Sequence, residues 1–576
     1  MNKRLIPIGI DSFKKIIEKE AYFVDKSELI TDILTREVIL INRPRRFGKT
    51  LNLDMIRYFF DNGVSTCDEY EQRIKGKIEV NNKYLFKGLK IEQDEEIMKH
   101  QGKYPVIQIS LKEIKESNWE NCYEGIKKII SQIYMENEYL VEKMHEIEKE
   151  TFEKIVKGTA SKVEYEQALK NIMVYFHRHF KQKTILLIDE YDQPIIAGYV
   201  NGYYDKVIEF MRNMLSAALK TNEKLEKGIL TGVARVAKES IFSGLNNPDI
   251  DSMLIPINDD KFGFSDEEVI ELLKYYEKED SYEAVKEWYN GYNLNRKQIY
   301  NPWSVLKYIN DKESRLISYW VNTGSDELIK VLLKSNLQKI INNLNKIIKG
   351  EEAIKVVNEA VNFNNLNTDE DSIWSLMIQS GYLKVGNPEE IGKDLNGNGI
   401  IKVKLEIPNR EIKGSYESMI ETWVAETIGK TEIDEMLKEL TKGKIERFKK
   451  MFTQIILENM SMYDAAGKEA EKYYHVFCLG LFVKLKDSYY VKSELETGLG
   501  RSDVVLIPKD NKKRGIILEF KKADSYEPET IEEAAKEAIS QIEEKKYETV
   551  LKEHGVEEIV KLGIGFKGKE CHFEQN

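Results

Sequence analysis

Residues 493–522 read SELETGLGRSDVVLIPKDNKKRGIILEFKK, and two apolar runs stand out in this stretch. The runs at 503–507 and 515–520 are rich in Val, Ile and Leu, a composition typical of buried β-strands. Between them, residues 508–514 begin with Pro-Lys-Asp-Asn, which favours a turn. This part of the chain therefore predicts a β-hairpin.

Three charged side chains lie on the predicted hairpin. Asp503 opens the first strand, and Glu519 and Lys521 lie two residues apart near the end of the second, hence on one face. Carboxylates suit Mg²⁺ or Mn²⁺, and an ammonium group can orient a water molecule that attacks a phosphate. The three residues together favour a metal-dependent phosphodiesterase.

The segments around these residues carry a resemblance. They are GRSD (500–503), LEFK (518–521), QIEEKKY (541–547) and LGIGF (562–566). The Asp-(x)n-Glu-x-Lys pattern resembles the PD-(D/E)xK nuclease superfamily. The four segments are similar to the C-terminal domain of a bacterial and archaeal family that pairs a predicted AAA-like ATPase with a PD-(D/E)xK nuclease-like domain. The resemblance implies a C-terminal α/β domain in which the main-chain carbonyl of Phe520 joins Asp503 and Glu519 as a metal ligand.

The resemblance also implies one additional acid beside the metal. Glu471 matches the family's position on the first helix of the domain, and Glu494 and Glu496 precede the GRSD turn. The sequence does not decide among these three. Gln541 matches a recurring glutamine that packs beside the active site, with ordinary helix-surface polarity as the alternative.

A second motif lies near the N-terminus. The apolar run EVILIN (37–42) is followed by RPRRFGKT (43–50) and then by a helical pattern, and this order is the context of a phosphate-binding loop. Main-chain N–H groups at the helix N-terminus cradle phosphates in such loops, a lysine neutralises their charge and a hydroxyl reaches Mg²⁺. The expected ligands here are Arg46, Phe47, Gly48, Lys49 and Thr50. Arg43 replaces the usual first glycine, which leaves open how the loop turns.

Further strands support an α/β sheet in this half. The run KTILLID (183–189) ends in Asp189-Glu190, where the aspartate would hold the water shell of Mg²⁺ and the glutamate would polarise the attacking water. The runs at 105–111 and 228–233 add parallel-strand candidates, with helical patterns between them. Arg235 follows the last run, where it either touches the γ-phosphate or forms a structural salt bridge.

The N-terminal half resembles the same family. Residues 6–30, 40–56, 186–195 and 230–247 are similar to successive blocks of its AAA-like domain, and the family carries an arginine at position 43. The resemblance thus spans both ends of the chain. Beside a phosphate site, the cluster of Arg43, Arg45 and Arg46 is expected to bind phosphates or nucleic acid.

The middle of the chain reads as a helical lid. Residues 260–410 carry amphipathic helical patterns, and the Gly- and Asn-rich residues 386–399 predict a loop. Trp288, Trp303 and Trp320 are expected to be core anchors. The predicted domains are a P-loop ATPase at 1–258, a helical lid at 259–400 and a nuclease-like domain at 401–576.

Composition narrows the class of protein. A chain of 576 residues needs more than one core, and 41% hydrophobic with 32% charged residues is typical of globular proteins. A net charge of −11 argues against a protein that coats nucleic acid through a generally basic surface. The four cysteines lack CxxC spacing and no long apolar run is present, so a reducing, cytoplasmic location is expected.

The leading hypothesis is a nucleotide-regulated nuclease, which binds and hydrolyses ATP and cleaves DNA or RNA with Mg²⁺ or Mn²⁺. One alternative is a nucleotide-dependent switch whose nuclease-like domain binds nucleic acid without cutting it. Another is an ATPase with a structural C-terminal domain. The sequence leaves endo- or exonucleolytic cleavage and a possible homo-oligomer open.

Overall fold

The computed structural model divides the chain into two compact units. The first unit is Met1–Leu332 with Glu352–Ile412, and the second is Leu333–Glu351 with Lys413–Asn576. The structure describes residues 3–63, 82–236, 248–294, 297–320, 328–329, 331–332, 340, 343–344, 346–348, 350–358, 360–361, 363–366, 369–393, 399–416, 418–419, 430–459, 478, 481–497, 500–523 and 529–576. It describes only the backbone at 365, 387–393, 399–401, 430, 459, 483, 493–497 and 500–501.

A five-stranded parallel sheet forms the centre of the first unit, in the order β2-β3-β4-β1-β5. Its strands are β1 (Val38–Asn42), β2 (Val106–Ser110), β3 (Thr184–Asp189), β4 (Leu225–Gly232) and β5 (Asp249–Asp251). Every residue of β3 is buried, as expected where helices cover both faces of a parallel sheet. The carboxyl ends of β1, β3 and β4 meet at one edge, and this edge positions the first site.

The sequence predicted four of these five strands, and the structure confirms them. It missed β5, because Asp-Ile-Asp is too short and too polar to read as an apolar run. β4 lies between the strand that enters the phosphate loop and the strand that ends in Asp189. This order could not be read from the sequence.

Helices surround the sheet, and their apolar faces form its core with residues such as Phe13, Phe59 and Ile185. The α-helices of the first unit are α1 (Phe13–Glu18), α2 (Leu29–Leu34), α3 (Lys49–Phe60), α4 (Glu95–Met98), α5 (Trp119–Met135), α6 (Glu146–Val156), α7 (Lys162–Phe180), α8 (Gln193–Val200), α9 (Tyr204–Leu219), α10 (Asp266–Tyr275), α11 (Tyr282–Tyr289), α12 (Pro302–Asn310) and α13 (Glu370–Gln379). Residues 410–416 are also helical.

The middle of the chain contains the predicted helices and also short strands. The strands are β6 (Tyr292–Leu294), β7 (Lys297–Ile299), β8 (Ile354–Val357), β9 (Lys384–Lys393) and β10 (Gly399–Glu406). The loop prediction for 386–399 is wrong at 386–393 and at 399, since β9 pairs there with β10, and residues 394–398 lie outside the described part of the chain. The turn-forming residues misled the interpretation, because Pro388 lies beside a register irregularity, where a sheet tolerates proline.

The second unit is built on a mixed sheet, in the order β11-β12-β13-β14-β15. Its elements are β11 (Tyr489–Thr497), β12 (Gly500–Pro508), β13 (Gly515–Lys522), β14 (Ile559–Lys567), β15 (Glu570–Gln575), α14 (Lys430–Thr441), α15 (Ile445–Asn459), α16 (Ile531–Glu544) and α17 (Thr549–Glu553). β13 and β14 are parallel, and the other neighbours are antiparallel. The predicted hairpin is confirmed as β12 and β13, and the overall fold is the predicted α/β class.

Alternate residues of this sheet pack against different helices. Leu518 and Phe520 join one core with α14 and α15. Ile517 joins the other core with Ile542 of α16. Glu519 and Lys521 continue the Ile517 face by strand alternation, so α16 covers the face that carries them.

Two glycines of β14 bring α16 into backbone contact with the sheet. A Cβ atom at Gly563 would lie 2.5 Å from the Ala535 carbonyl oxygen. One at Gly565 would lie 2.2 Å from the Ile531 carbonyl oxygen. The predicted LGIGF segment thus sets the height of α16 above the sheet.

Replacing Gly565 with alanine should therefore push α16 away from the sheet. We expect a loss of about 2–3 kcal/mol in the free energy of unfolding of the second unit, since the clash involves backbone atoms that cannot yield locally. Chemical denaturation of the full chain, followed by far-UV circular dichroism, measures the loss. Lys567→Ala, an exposed position on the same strand, is the control and should change stability by less than about 0.5 kcal/mol.

Candidate functional site

The phosphate loop joins β1 to α3 at the edge of the parallel sheet. Gly48 caps α3 with φ of 84°, a left-handed conformation that suits glycine. Lys49 is the first residue of α3, and its Nζ donates to the carbonyl oxygens of Arg43 at 3.0 Å and Pro44 at 3.2 Å. Nζ also lies 3.4 Å from Oε1 of Glu190. A cation is thus held at the N-terminus of a helix, as nucleotide phosphates require.

Arg43, which stands in place of the first glycine, has a structural role. Its guanidinium group is fully buried and forms an ion pair with the equally buried Asp251 of β5 at 2.5 Å. It also donates to the carbonyl oxygens of Asn42, Asp251 and Asn258. The expectation that Arg43 binds phosphate or nucleic acid is wrong, because every one of these partners lies in the protein interior. Here the side chain holds the turn by anchoring it to β5.

Asp189 and Glu190 end β3 beside the loop. The Asp189 carboxylate accepts hydrogen bonds from the hydroxyl groups of Thr50 at 2.8 Å and Thr231 at 2.6 Å. Burial, reinforced by the nearby charge of Glu190, raises the pKa of Asp189. Glu190 has φ of 54°, a conformation that is costly for a residue with a side chain and that often marks functional sites. The structure thus brings Lys49, Thr50, Asp189 and Glu190 together.

Asp192 ties the turn after β3 to the end of β4. Its Oδ2 accepts the main-chain N–H groups of Val233 at 2.9 Å and Ala234 at 2.7 Å. Burial and the neighbouring charge of Glu190 raise the pKa of Asp192 to about 6. The main chain of Arg235 is hydrogen-bonded to Gln379 and Val361. Arg235 does not line the cavity that opens beside the phosphate loop. Its contact with a γ-phosphate stays a prediction.

A cavity of about 350 Å³ opens beside the phosphate loop. Its basic lining residues outnumber the two acidic ones, Asp11 and Glu190; they are Lys26, Arg45, Arg46, Lys49, Lys112, Lys115 and Lys261. The lining also includes the aromatic side chains of Tyr22, Phe23 and Trp303. Basic groups together with aromatic rings match the phosphates and the base of a nucleotide.

The aromatic side chains near the loop divide between core and cavity. Phe47 is buried against Tyr292, so Phe47 can offer a ligand only through its main chain. Trp320 is buried, and Trp288 packs against a core cluster, in agreement with the core prediction. Trp303 differs, because it lines the cavity and the Arg46 guanidinium lies 4.1 Å from its ring centroid.

Asp25 and Lys26 have structural contacts. Asp25 accepts the main-chain N–H groups of Ser27 and Lys90. Lys26 forms a buried ion pair with Glu268 at 2.5 Å, and burial lowers its pKa. These contacts pin the N-terminal segment beside the cavity.

The candidate nuclease site lies where β12 and β13 diverge. The last main-chain pair of the two strands is Val504 with Leu518. At the next position, side-chain carboxylates replace main-chain carbonyl groups as the acceptors of the hydrogen bonds between the two strands. The N–H of Asp503 donates to Oε2 of Glu519 at 3.0 Å, and the N–H of Phe520 donates to Oδ2 of Asp503 at 2.8 Å. The two carboxylates predicted from the sequence are thus brought together at the open end of the hairpin.

The remaining described residues of this site lie on β13, on α16 and in the turn after α16. Gln541 donates through Nε2 to Oε1 of Glu519 and to the Tyr547 hydroxyl group, which lies 3.1 Å away. Burial, with the charges of Glu519 and Asp503, raises the pKa of Tyr547. Nζ of Lys521 lies 3.5 Å from Oε1 of Glu537. The predicted position of Gln541 beside the acidic pair is what the structure has.

The described donor set suits a hard divalent cation. The carbonyl of Phe520 shares the strand edge of its N–H group, so it faces the side where Asp503 lies. Two carboxylates and a carbonyl are oxygen ligands of the kind that Mg²⁺ and Mn²⁺ take. Glu471 and the side chains of Glu494 and Glu496 fall outside what the structure describes. Among the side chains that it does describe, no group of three acidic, histidine or cysteine residues could hold a metal.

Sequence reasoning missed several residues that contact these sites. Near the phosphate loop they are Lys112, Lys115, Gln193 and Thr231, and near the acidic pair they are Glu537 and Tyr547. The lysines follow the carboxyl end of β2, the strand next to Asp189, so a predicted strand order would have indicated them. Tyr547 ends the segment QIEEKKY (541–547), in which only Gln541 was predicted to have a role.

Comparisons with known proteins agree with this arrangement. Residues 7–242 match a family model described as a predicted AAA-ATPase, and residues 469–576 match a model of the PD-(D/E)XK nuclease superfamily. A curated protein of Azotobacter chroococcum mcd 1, described as an uncharacterized protein in the vnfD 5′ region, is 24% identical over 585 residues, which cover 98% of this chain and 97% of that protein. No solved structure matches. Within the described residues, no helix has the length and apolarity needed to cross a membrane. The resemblance predicted from the sequence, an ATPase-like region followed by a nuclease-superfamily region, is confirmed.

Proposed function

We propose that this protein binds and hydrolyses ATP in its first unit and cleaves nucleic acid with its second unit, under the control of the nucleotide. The observation that carries the nuclease assignment is the pairing of Asp503 with Glu519 at the open end of a hairpin whose face also carries Lys521. Keeping two carboxylates side by side in buried and half-buried positions costs free energy, and a bound cation would offset that cost.

The residues at the phosphate loop support ATP hydrolysis. Lys49 offsets the charge of the β- and γ-phosphates, and main-chain N–H groups at the start of α3 bind their oxygens. Thr50 and Asp189 would hold the Mg²⁺ that accompanies ATP, and the metal would supply positive charge to the transferred phosphoryl group. Glu190 is the general base, since its carboxylate lies 3.4 Å from the Lys49 ammonium and lines the same cavity.

The residues at the second site support phosphodiester cleavage. Asp503, Glu519 and the Phe520 carbonyl would hold a divalent cation, which would supply Lewis-acid stabilisation of the phosphate charge. Lys521 orients the attacking water from the same strand face. Gln541 fixes Glu519 through its side-chain amide, and Tyr547 fixes Gln541 in turn.

One observation favours a second candidate, a switch that binds nucleic acid without cutting it. Both oxygens of Glu519 and one oxygen of Asp503 already accept hydrogen bonds from the protein. A site that keeps these bonds offers fewer lone pairs to a metal, and such a site would bind a phosphate backbone without hydrolysing it.

Cleavage assays with the full chain separate the two candidates. Labelled single- and double-stranded DNA and RNA are incubated with Mn²⁺ or Mg²⁺, with and without ATP, at a fixed concentration of free metal. We expect metal-dependent cleavage of one substrate, changed about fivefold or more by ATP. Binding without cleavage in every condition would favour the switch. Identical cleavage with and without ATP would refute nucleotide control.

A further inference from the structure

Glu411 is a buried carboxyl group without a cationic partner among the described residues. It is completely buried at the start of the helix at 410–416. Its Oε1 accepts the main-chain N–H of Trp320 at 2.7 Å, and its Oε2 accepts the hydroxyl group of Ser304 at 2.8 Å. Burial raises its pKa to about 7. Burying a carboxyl group without a cation beside it costs free energy. Its two hydrogen-bond donors therefore show which parts of the structure this group holds in place.

Both donors lead to the phosphate loop. The indole Nε1 of Trp320 donates to the carbonyl oxygen of Arg45 at 3.1 Å. Ser304 follows Trp303 in α12, and the ring of Trp303 lies under the Arg46 guanidinium. One carboxyl group therefore holds the main chain of Trp320 and the side chain of Ser304. Trp320 and Trp303, the residue before Ser304, contact consecutive residues of the loop.

The main chain around Glu411 is fixed on its other side. Asn409 donates through Nδ2 to the carbonyl oxygen of Asn290 at 2.8 Å and accepts the N–H of Ile412 at 3.0 Å. Gly291, with φ of 108°, leaves room for the Pro408 carbonyl oxygen, which would lie 1.9 Å from a Cβ atom. This segment ends the first unit, since the chain returns to the second unit at Lys413.

We propose that Glu411 is a positioning residue that couples the nucleotide site to the helix at 410–416, through which the chain returns to the nuclease-containing unit. The inference rests on the proposed function and adds the route by which nucleotide acts. Bound phosphates attract Arg45 and Arg46 and move these two loop residues. Trp320, which contacts Arg45, and Trp303, which contacts Arg46, move with them. The hydrogen bonds from Trp320 and Ser304 to Glu411 transmit the movement to the helix. Coupling then requires an intact carboxyl group and an intact Ser304 hydroxyl group.

Hydrogen exchange in the full-length protein tests the route without a nuclease substrate. Exchange of amides at 405–416 is measured by mass spectrometry with Mg²⁺ and a non-hydrolysable ATP analogue, and without nucleotide. In the wild-type protein we expect the analogue to change exchange rates there by about threefold or more. Ser304→Ala and Glu411→Gln should lose most of this response while calorimetry gives analogue affinities within about threefold of wild type.

Ser318→Ala is the matched control. Its hydroxyl group donates to the main-chain carbonyl of Glu411 at 3.3 Å, so the variant loses a serine hydroxyl from the same neighbourhood and leaves the carboxyl contacts intact. It should keep the wild-type response. A wild-type response in Ser304→Ala and Glu411→Gln overturns the inference, as does analogue binding without any response in the wild-type protein. Failure of the wild-type protein to bind the analogue overturns the proposed function and the inference together.

Discussion

Lys49→Ala should abolish ATP binding, with a loss of about 100-fold or more in affinity, while the fold stays intact. The ammonium group is nearly buried at the N-terminus of α3, against loop carbonyls and Glu190. Alanine leaves this part of the cavity without the cation that offsets the phosphate charge. Isothermal titration with ATP and Mg²⁺ measures the affinity, and thermal unfolding without nucleotide checks the fold.

Glu190→Gln separates binding from hydrolysis at the same site. The amide keeps the shape of the side chain, removes its negative charge and cannot accept a proton from water. We therefore expect ATP binding to persist and kcat to fall about 100-fold or more. Wild-type affinity in Lys49→Ala would sink the assignment of the phosphate loop. Wild-type turnover in Glu190→Gln would move the general base to another residue.

The sequence predicted which residues lie together better than it predicted the surroundings that hold them. Lys49, Thr50, Asp189, Asp503 and Glu519 were predicted because local order reveals them: each lies at the end of an apolar run or in a loop with a known chemical use. Lys49, Thr50 and Asp189 converge because the parallel strands of one sheet end at the same edge. Asp503 and Glu519 converge because an antiparallel hairpin places the start of its first strand beside the end of its second.

The misses are features that depend on a contact with another part of the chain. Arg43 was predicted to be a phosphate ligand because its partner Asp251 lies 208 residues away, on a strand too short to predict. The strand β9 read as a loop because its partner β10, and not its own composition, stabilises it. Trp303 read as a core residue because aromatic side chains usually are, whereas the Arg46 side chain fixes it at a cavity wall. In each case a contact with another part of the chain, and not the local sequence, determined the observed structure.

Substitutions in the acidic pair of the second unit should abolish metal-dependent cleavage. Alanine would confuse the result, since each carboxylate also accepts a main-chain N–H group from the opposite strand. Asp503→Asn and Glu519→Gln keep an oxygen acceptor for those bonds and remove the charge that a metal needs. We expect each to lower the rate of phosphodiester cleavage by about 100-fold or more, with little effect on thermal unfolding.

Lys521→Met should lower the rate of phosphodiester cleavage by a similar factor. Lys521 is proposed to orient the attacking water in the same reaction for which the acidic pair would hold the metal. Combining Lys521→Met with Asp503→Asn should cost little more than either change alone, since residues that act as one unit have non-additive effects. The control is Glu543→Gln, which removes a carboxylate from an exposed position of α16 and should leave the rate unchanged. Full cleavage by Asp503→Asn or Glu519→Gln in Mn²⁺ would place the metal elsewhere. Multiplicative losses in the double variant would mean that Lys521 acts on the substrate independently of the acidic pair.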